Sequence, residues 1–261
     1  MDACVVVPVY RQRPEPHELL SLRQLAVKLG EHPIELIAPA GLELSSYLRL
    51  LGERDHHYFD PAYFAAREAY GALMLDEAFY RRFARYEHVL IHQTDAFVFE
   101  DQLSCWTARE FDYVGSPHWA GWGERKELGM IGVGNGGFSL RRVEVFARVL
   151  RDGRGVRGRF PPLPGSPAWR LRRARRGRIV EDIYWGYVAP IRVASVAEAI
   201  AFAFEMGLER LADDYRQLVP FGCHAVWNLN YIARYRSGRP ENREPDYERV
   251  LYGILQRSGN A

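Results

Sequence analysis

One acidic residue lies where ligand chemistry is expected in an α/β protein. Asp95 follows the apolar run His88–His92, which predicts a buried strand, and the polar residues Gln93 and Thr94 lie between them. In an open parallel sheet, ligands bind beyond the carboxyl ends of the strands. A carboxylate at that position can bind a cation or exchange a proton. Asp95 is therefore the first candidate for a functional side chain.

Two further groups of residues have compositions suited to ligand binding. The segment Gly132–Gly137 contains four glycines in six residues, which permit positive φ angles and close approach of the backbone to a ligand. Glu181 and Asp182 form an acidic pair that follows an arginine-rich segment. A glycine-rich turn before a helix is usually only a turn, so this pattern alone identifies no function.

The elements that must position these residues alternate between strand and helix at the start of the chain. Cys4–Val7 is a continuous apolar run ended by Pro8, which is typical of a strand buried on both faces. Apolar residues at a spacing near 3.6 then predict a helix that ends at Gly30. A second strand at Ile34–Pro39 and a helix from about Ser45 to Leu51 follow. This order predicts a parallel α/β sheet.

The rest of the chain continues this pattern with less regularity. A long helix is predicted within Phe64–Tyr86, ahead of the strand that precedes Asp95. After the glycine-rich segment, the residues Phe138–Arg142 are predicted to lead into a helix. The other predicted elements are an extended piece and short helix within Ala96–Trp106, a strand at Phe111–Gly115, helices at Val143–Leu150, Val196–Phe204 and Tyr247–Gln256, and an extended segment at Leu218–His224.

Charge is distributed unevenly along the chain. The 261 residues are 48% hydrophobic and 26% charged, which excludes global disorder and allows a sizeable core. The net charge is only +2, but residues 151–178 hold ten arginines against one acid, Asp152, so the remainder of the chain is acidic. We expect a single domain over residues 1–261, with a mobile basic insert at about 153–178 that contains a short helix within Trp169–Arg176.

The basic insert has more than one interpretation. It could attract a phosphate-bearing acceptor, an anionic lipid surface or a nucleic acid, or it could simply be a solvated loop. Because the acidic remainder would repel a long polyanion, an anionic acceptor or the cytoplasmic membrane face is favoured over nucleic acid.

The chain shows no signal for export. Its N-terminus has no basic start and an apolar run too short for a secretory signal, and no stretch approaches the ~20 apolar residues that cross a bilayer. The three cysteines, Cys4, Cys105 and Cys223, are odd in number and far apart, which predicts reduced core thiols. We therefore expect a cytoplasmic protein with at most peripheral contact at the inner membrane face.

Four short motifs occur in order along the chain: Gln93-Thr94-Asp95-Ala96-Phe97, Gly132–Arg141, Glu181-Asp182 and Pro220-Phe221-Gly222-Cys223-His224. Their order and approximate spacing resemble those of glycosyltransferases with the GT-A fold, in particular a bacterial group catalogued as a domain of unknown function. The resemblance spans roughly residues 5–224, and the ordered set carries it, since no single motif is specific. It implies a Rossmann-like α/β fold with a mostly parallel central sheet flanked by helices.

The resemblance also implies a divalent cation, Mn²⁺ or Mg²⁺, held on the donor diphosphate by Asp95 and His224. Gln93 stands where the family's Asp-x-Asp motif has its first acid, so weaker metal affinity is expected and metal dependence is an open question. Asp95 could instead cap the following turn. The remaining histidines considered have no partner at ligand-like spacing and are predicted to be structural or exposed; they are His56, His57, His88, His92 and His118.

The acidic pair is assigned to catalysis by the same resemblance. In inverting enzymes of this fold, an acid at such a position is the general base that takes the proton of the acceptor hydroxyl. Of Glu181 and Asp182, we favour Asp182. The alternative is an exposed helix N-terminus, where the helix dipole favours acids.

The remaining binding residues follow from the family pattern as well. The glycine loop, with Asn135, Gly136 and Gly137, is expected to line the donor sugar and the acceptor. Pro8, Tyr10 and Arg11 follow the first strand, where the family holds the base and ribose of the nucleotide; only the last two offer stacking or phosphate contacts. An ordinary surface loop is the alternative there.

These observations support three hypotheses of different classes. The first is a glycosyltransferase that moves a sugar from a nucleoside diphosphate to the hydroxyl of a glycan, lipid-linked or other anionic acceptor, in surface glycan assembly. The second is a non-catalytic nucleotide- or glycan-binding module of the same fold, suggested by Gln93. The third is a nucleic-acid binder driven by the arginines.

Overall fold

The computed structural model describes residues 2–119, 130–152, 180–205 and 220–225. The strands among these residues are β1 (Ala3–Pro8), β2 (Ile34–Pro39), β3 (His56–Phe59), β4 (His88–His92), β5 (Ala96–Val98), β6 (Tyr113–Val114), β7 (Pro117–Trp119), β8 (Met130–Val133), β9 (Phe138–Arg142), β10 (Ala203–Phe204) and β11 (Gly222–His224). The α-helices among them are α1 (Pro16–Leu29), α2 (Ser45–Leu51), α3 (Arg67–Leu73), α4 (Glu77–Arg82), α5 (Leu103–Thr107), α6 (Val143–Arg151), α7 (Glu181–Tyr187) and α8 (Val196–Phe202), and a 3₁₀ turn spans Pro61–Phe64.

Six strands form the central sheet, in the order β3-β2-β1-β4-β9-β6. The pairs β2–β3, β1–β2 and β1–β4 are parallel, whereas β9 runs antiparallel to both of its neighbours. The predicted fold class, a mostly parallel sheet in an α/β protein, is therefore confirmed. A smaller sheet, β10-β11-β5, lies beyond β4, and β7 and β8 form a separate antiparallel pair.

The central sheet is covered on both faces. Along β1, Val5 and Val7 face a core that includes residues of α1 and α2, while Cys4 and Val6 face a second core that includes residues of α3, α4, α6 and α7. All four side chains are fully buried, which explains why the sequence of β1 is a continuous apolar run rather than an alternating one.

The first half of the fold confirms several predicted boundaries. The strand predicted at Ile34–Pro39 is β2, the helix predicted at Ser45–Leu51 is α2, and the strand predicted at His88–His92 is β4. The first predicted helix, α1, starts with a reciprocal capping box between Glu15 and Glu18 and ends before Gly30. These elements fix the carboxyl edge of β1 and β4, where the candidate site lies.

Three predictions about the fold are wrong. The long helix predicted within Phe64–Tyr86 is two helices, α3 and α4, because Asp76 accepts a hydrogen bond from the Ala78 amide and starts a new helix. The glycine loop joins β8 to β9, and β9 leads into α6 as predicted. The helix predicted to reach Phe204 ends at Phe202 and continues as β10. Cys105 is exposed and is not a core thiol, in contrast to Cys4 and Cys223.

Some predictions concern residues outside the described ranges. The basic insert at about 153–178, its short helix, and the helix at Tyr247–Gln256 all belong to this group. Among the residues that are described, no helix has the length and apolar character needed to span a membrane.

Candidate active site

Asp95 and His224 meet at the carboxyl end of β4. The turn after β4 carries Asp95 into β5, and β5 pairs antiparallel with β11 so that Ala96 lies opposite His224. This register places Nε2 of His224 3.2 Å from Oδ1 of Asp95. The structure therefore brings together the two residues that the sequence analysis proposed as metal ligands.

Both nitrogens of the His224 ring have polar partners. Nε2 also lies 3.0 Å from Oε1 of Gln93, and Nδ1 lies 3.2 Å from Oε1 of Glu205 and 3.3 Å from Nδ2 of Asn135. Burial alone would lower the pKa of His224, but the carboxylates of Asp95 and Glu205 outweigh it and raise that pKa to about 10. Burial acts to raise the pKa of Asp95, and the adjacent imidazole more than compensates, so that pKa is lowered.

The donor atoms around Asp95 suit a divalent cation. The carboxylate of Asp95, the amide oxygen of Gln93 and the imidazole of His224, once a cation displaces its ring proton, are all accepted ligand types. Neighbouring ligands of an octahedral cation bound at about 2.1 Å lie about 3 Å apart, which matches the 3.2 Å and 3.0 Å separations from His224 Nε2. Within the described ranges, no group of three or more His, Cys, Asp or Glu side chains could hold a metal ion. A third donor beside His224 would have to come from another residue type, such as the amide oxygen of Gln93.

Asn135 holds the glycine loop in shape. Its Oδ1 accepts hydrogen bonds from the amides of Gly137 at 2.6 Å and Phe138 at 3.1 Å, and its Nδ2 donates to Ser116 at 3.1 Å. The side chain is only 2% exposed. The structure therefore gives the Asn135 side chain to the loop itself rather than leaving it free for a ligand.

The glycines of this loop allow side chains from elsewhere to touch its backbone. A Cβ atom at Gly136 would lie 1.9 Å from Oε1 of Glu181, and one at Gly137 would lie 2.0 Å from Nε2 of His224. A Cβ atom at Gly134 would lie 2.3 Å from the ring of His118. The glycines thus make room for these protein side chains. Contact of the loop with a donor sugar or an acceptor stays a prediction.

Glu181 is the counter-ion of a buried arginine. Its carboxylate lies 3.2 Å from Nη2 of Arg141, whose side chain is fully buried and also donates to Tyr80 and Ser139, each at 3.0 Å. Burial raises the pKa of Glu181, and Arg141 opposes this effect only in part. Glu181 therefore pairs with a core residue.

Asp182 has a different environment. One carboxylate oxygen accepts a hydrogen bond from the Ile183 amide at 2.8 Å, and the other lies 3.7 Å from Nε2 of His118. Burial acts to raise the pKa of Asp182, but His118 and Arg67 outweigh it, so the pKa is lowered. Both acids of the pair are less than 10% exposed at the start of α7, so the alternative of an exposed helix N-terminus is wrong.

Pro8, Tyr10 and Arg11, which were predicted to follow the first strand, lie in three different environments, and Pro8 is part of β1 itself. Tyr10 accepts a hydrogen bond from Nε2 of Gln93 at 3.2 Å and packs edge-on against Phe64 and Tyr70, so it belongs to the site. Pro8 is the last, buried residue of β1. The guanidinium of Arg11 instead pairs with Glu15 at 2.5 Å on the exposed surface.

Three residues of the site had no predicted role. Arg141 is the last residue of the motif Gly132–Arg141, but nothing in the sequence indicates that its charge is buried. Glu205 follows the short strand β10, and His118 was predicted to be structural or exposed. Each acts through a contact between elements far apart in the chain, and no local spacing reveals such a contact.

Comparisons with known proteins agree with this architecture. The family model described as "Protein of unknown function (DUF5672)" matches residues 54–224. No curated protein matches the sequence. A crystal structure of the galactosyltransferase LgtC with donor and acceptor sugar analogues is similar at 12% identity and a TM-score of 0.53, covering 97% of this chain and 95% of LgtC.

A second similar structure is the glycosyltransferase GlyE of Streptococcus pneumoniae TIGR4, at 12% identity and a TM-score of 0.51, covering 97% of this chain and 60% of GlyE. At this level of identity, the likeness establishes the fold. The chain belongs to the DUF5672 family, and its fold is that of the GT-A glycosyltransferases.

Proposed function

We propose that the protein is a glycosyltransferase that moves a sugar from a nucleoside diphosphate to an acceptor hydroxyl. The observation that carries the proposal is the glycine loop, which contacts His118 at Gly134 and His224 at Gly137. Three residues of extended chain span at most about 10 Å. This short loop therefore links the surroundings of Asp182, through His118, to the Asp95–His224 pair. Its place at the edge of the sheet where ligands of α/β proteins bind supports one ligand site that includes both groups.

Asp95, His224 and Gln93 are the residues that would hold a divalent cation. When bound, the cation would neutralise charge on the departing diphosphate. Asp95 keeps 24% of its side chain exposed, so a ligand can reach it. Tyr10 hydrogen-bonds to the Gln93 amide and holds it in place beside His224.

Asp182 would take the proton of the acceptor hydroxyl as that oxygen attacks the anomeric carbon, and the nucleoside diphosphate would leave from the opposite face. This displacement inverts the anomeric configuration. The lowered pKa of Asp182 keeps it ionised at neutral pH, as a base requires. Glu181 is occupied by Arg141, which leaves Asp182 as the base.

The arginine-rich sequence at residues 151–178, which precedes Asp182, favours an anionic acceptor such as a lipid-linked glycan, reached at the cytoplasmic membrane face during surface glycan assembly. The LgtC structure contains donor and acceptor sugar analogues, which supports a sugar donor and a sugar acceptor as partners.

The proposal is tested by incubating the protein with a panel of nucleotide sugars and following transfer or donor hydrolysis. Asp182→Asn and Asp95→Ala should each lower turnover by about 100-fold or more. Asp2→Asn is the matched control, because Asp2 is exposed at the amino end of β1. Wild-type turnover in both site variants would contradict the assignment, and a product of retained anomeric configuration by NMR would contradict the role of Asp182.

Gln93 favours a second candidate function, a non-catalytic nucleotide- or glycan-binding module. An amide oxygen in place of a carboxylate lowers the charge available to a cation. Calorimetry of nucleoside diphosphate binding with and without Mn²⁺ distinguishes the two functions. Binding that is indifferent to Mn²⁺, together with no turnover of any donor, would favour the module.

A further inference from the structure

A chain of polar contacts runs from Asp182 through His118 to Tyr187. Nε2 of His118 lies 3.7 Å from Oδ2 of Asp182, and Nδ1 lies 3.0 Å from the hydroxyl of Tyr187. Asp182 and Tyr187 lie at the two ends of α7, and His118 lies on β7. The His118 and Tyr187 rings are stacked, with centroids 5.7 Å apart and an interplanar angle of 10°.

The surrounding backbone leaves the His118 ring little freedom. His118 is 9% exposed, and its ring lies against Gly134, where a Cβ atom would approach it to 2.3 Å. The residue opposite His118 in the β7–β8 ladder is Gly132, and a Cβ atom there would lie 2.5 Å from the ring of Tyr187. Because Gly132 and Gly134 have no side chains, the stacked rings can pack directly against this backbone.

One direction of the His118–Tyr187 hydrogen bond places a ring proton of His118 towards Asp182. If the Tyr187 hydroxyl donates to Nδ1, the neutral ring carries its proton on Nε2, which faces Asp182. A separation of 3.7 Å is longer than a hydrogen bond, but such contacts in unliganded sites shorten when substrate binds. The second oxygen of Asp182 is already held by the Ile183 amide. One carboxylate oxygen of Asp182 is thus hydrogen-bonded to the Ile183 amide, and the other faces Nε2 of His118.

We infer that His118, oriented by Tyr187, is a positioning residue that aims the Asp182 carboxylate at the acceptor. The inference rests on the proposed function, because it concerns the base of that reaction. It separates the roles within the acidic pair, since Arg141 holds Glu181 while His118 holds Asp182.

The test uses two substitutions that differ in one donor. His118→Phe keeps a ring to stack on Tyr187 but has no nitrogen, whereas His118→Gln can still place an N–H group near Asp182. We expect kcat to fall on the order of 10- to 100-fold in His118→Phe with the donor KM unchanged, because misplacement of a catalytic group has effects of this size. His118→Gln should recover part of that loss, and Tyr187→Phe should lose less than His118→Phe.

A second measurement does not require turnover. NMR of protein labelled at the aspartate carboxyl carbons follows the pKa of Asp182 directly. Among the described residues, the other charges that act on this pair of acids are Arg67, which lowers the Asp182 pKa, and Glu181, whose negative charge repels that of Asp182. Because His118 also lowers it, His118→Phe should raise the Asp182 pKa, and His118→Gln should raise it less.

The outcomes separate this inference from the proposed function. No turnover in the wild-type protein, with the expected pKa changes, would contradict the proposed function and leave the His118–Asp182 contact supported. Turnover in the wild-type protein, with equal kcat in His118→Phe and an unchanged Asp182 pKa, would overturn the inference alone. A parallel loss of kcat and melting temperature in both His118 variants would also overturn it, since that result indicates a purely structural role.

Discussion

His224 Nε2 and Asp95 Oδ1 lie 3.2 Å apart because one backbone ladder sets their positions. The antiparallel pairing of β5 with β11 places Ala96 opposite His224, and the Ala225 amide donates to the Asp95 carbonyl at 3.2 Å. The small sheet therefore fixes the backbone positions of both residues and brings their side chains within contact of each other.

Gln93→Glu should strengthen binding of Mn²⁺ by about tenfold or more, because it replaces a neutral amide oxygen by a carboxylate beside Asp95 and His224. Gln93→Ala should weaken binding. Isothermal calorimetry with Mn²⁺ alone measures both effects. If the two variants bind Mn²⁺ as the wild-type protein does, Gln93 is not a donor at this site.

Gly137→Ala should destabilise the protein by about 1–3 kcal/mol, because the new methyl group would overlap the His224 ring. Gly71→Ala is the control. A Cβ atom at Gly71 would meet its nearest neighbour at an ordinary 3.6 Å, and alanine is the better helix former within α3. Urea unfolding compares the two variants, and equal stability would mean that the loop moves away from His224 at little cost.

Glu181→Gln should lower the free energy of unfolding by about 3 kcal/mol, because it leaves the charge of Arg141 buried without a counter-ion. Replacing both partners, Arg141→Met with Glu181→Leu, should recover most of this loss. Asp182→Asn should have a much smaller effect on stability. A double variant as unstable as Glu181→Gln would show that the ion pair itself is required.

Stability should also depend on Glu35 at acidic pH. This buried residue of β2 contacts His57 at 2.6 Å and Arg85 at 2.5 Å, and it accepts a hydrogen bond from Tyr86. Burial acts to raise the pKa of Glu35, but these partners outweigh it and lower the pKa from 4.5 to about 2.

Because the pKa of Glu35 is lower in the folded state, its contribution is complete above the unfolded value of 4.5 and is lost as the pH falls from 4.5 towards about 2. We expect a contribution of about 1–2 kcal/mol. Urea unfolding of the wild-type protein and Glu35→Gln at pH 7 and pH 3 measures it. The difference between the two proteins should shrink at pH 3, and a constant difference would contradict the prediction.

The sequence predicts the inner strands well because a strand that is buried on both faces has a nearly continuous run of apolar residues. β1, β2 and β4 are nearly continuous apolar runs, and their predicted bounds agree with the structure to within one residue. β3 was not predicted, since its residues alternate between exposed and half-buried positions at the edge of the sheet and include two histidines.

The candidate site could likewise be predicted only in part. Asp95 could be located because it directly follows a buried strand, and the resemblance supplied His224. The contacts of Arg141 with Glu181 and of His118 with Asp182 join elements that lie far apart in the sequence, so they depend on tertiary packing rather than on local pattern.

The close packing of the glycine loop restricts how this chain can vary. A side chain at Gly136 would collide with Glu181, and one at Gly137 would collide with His224. Each glycine is therefore permitted to change only if its partner changes with it. Among natural or designed variants of this chain, we expect paired substitutions at these positions, with a larger residue in the loop accompanied by a smaller one at 181 or 224.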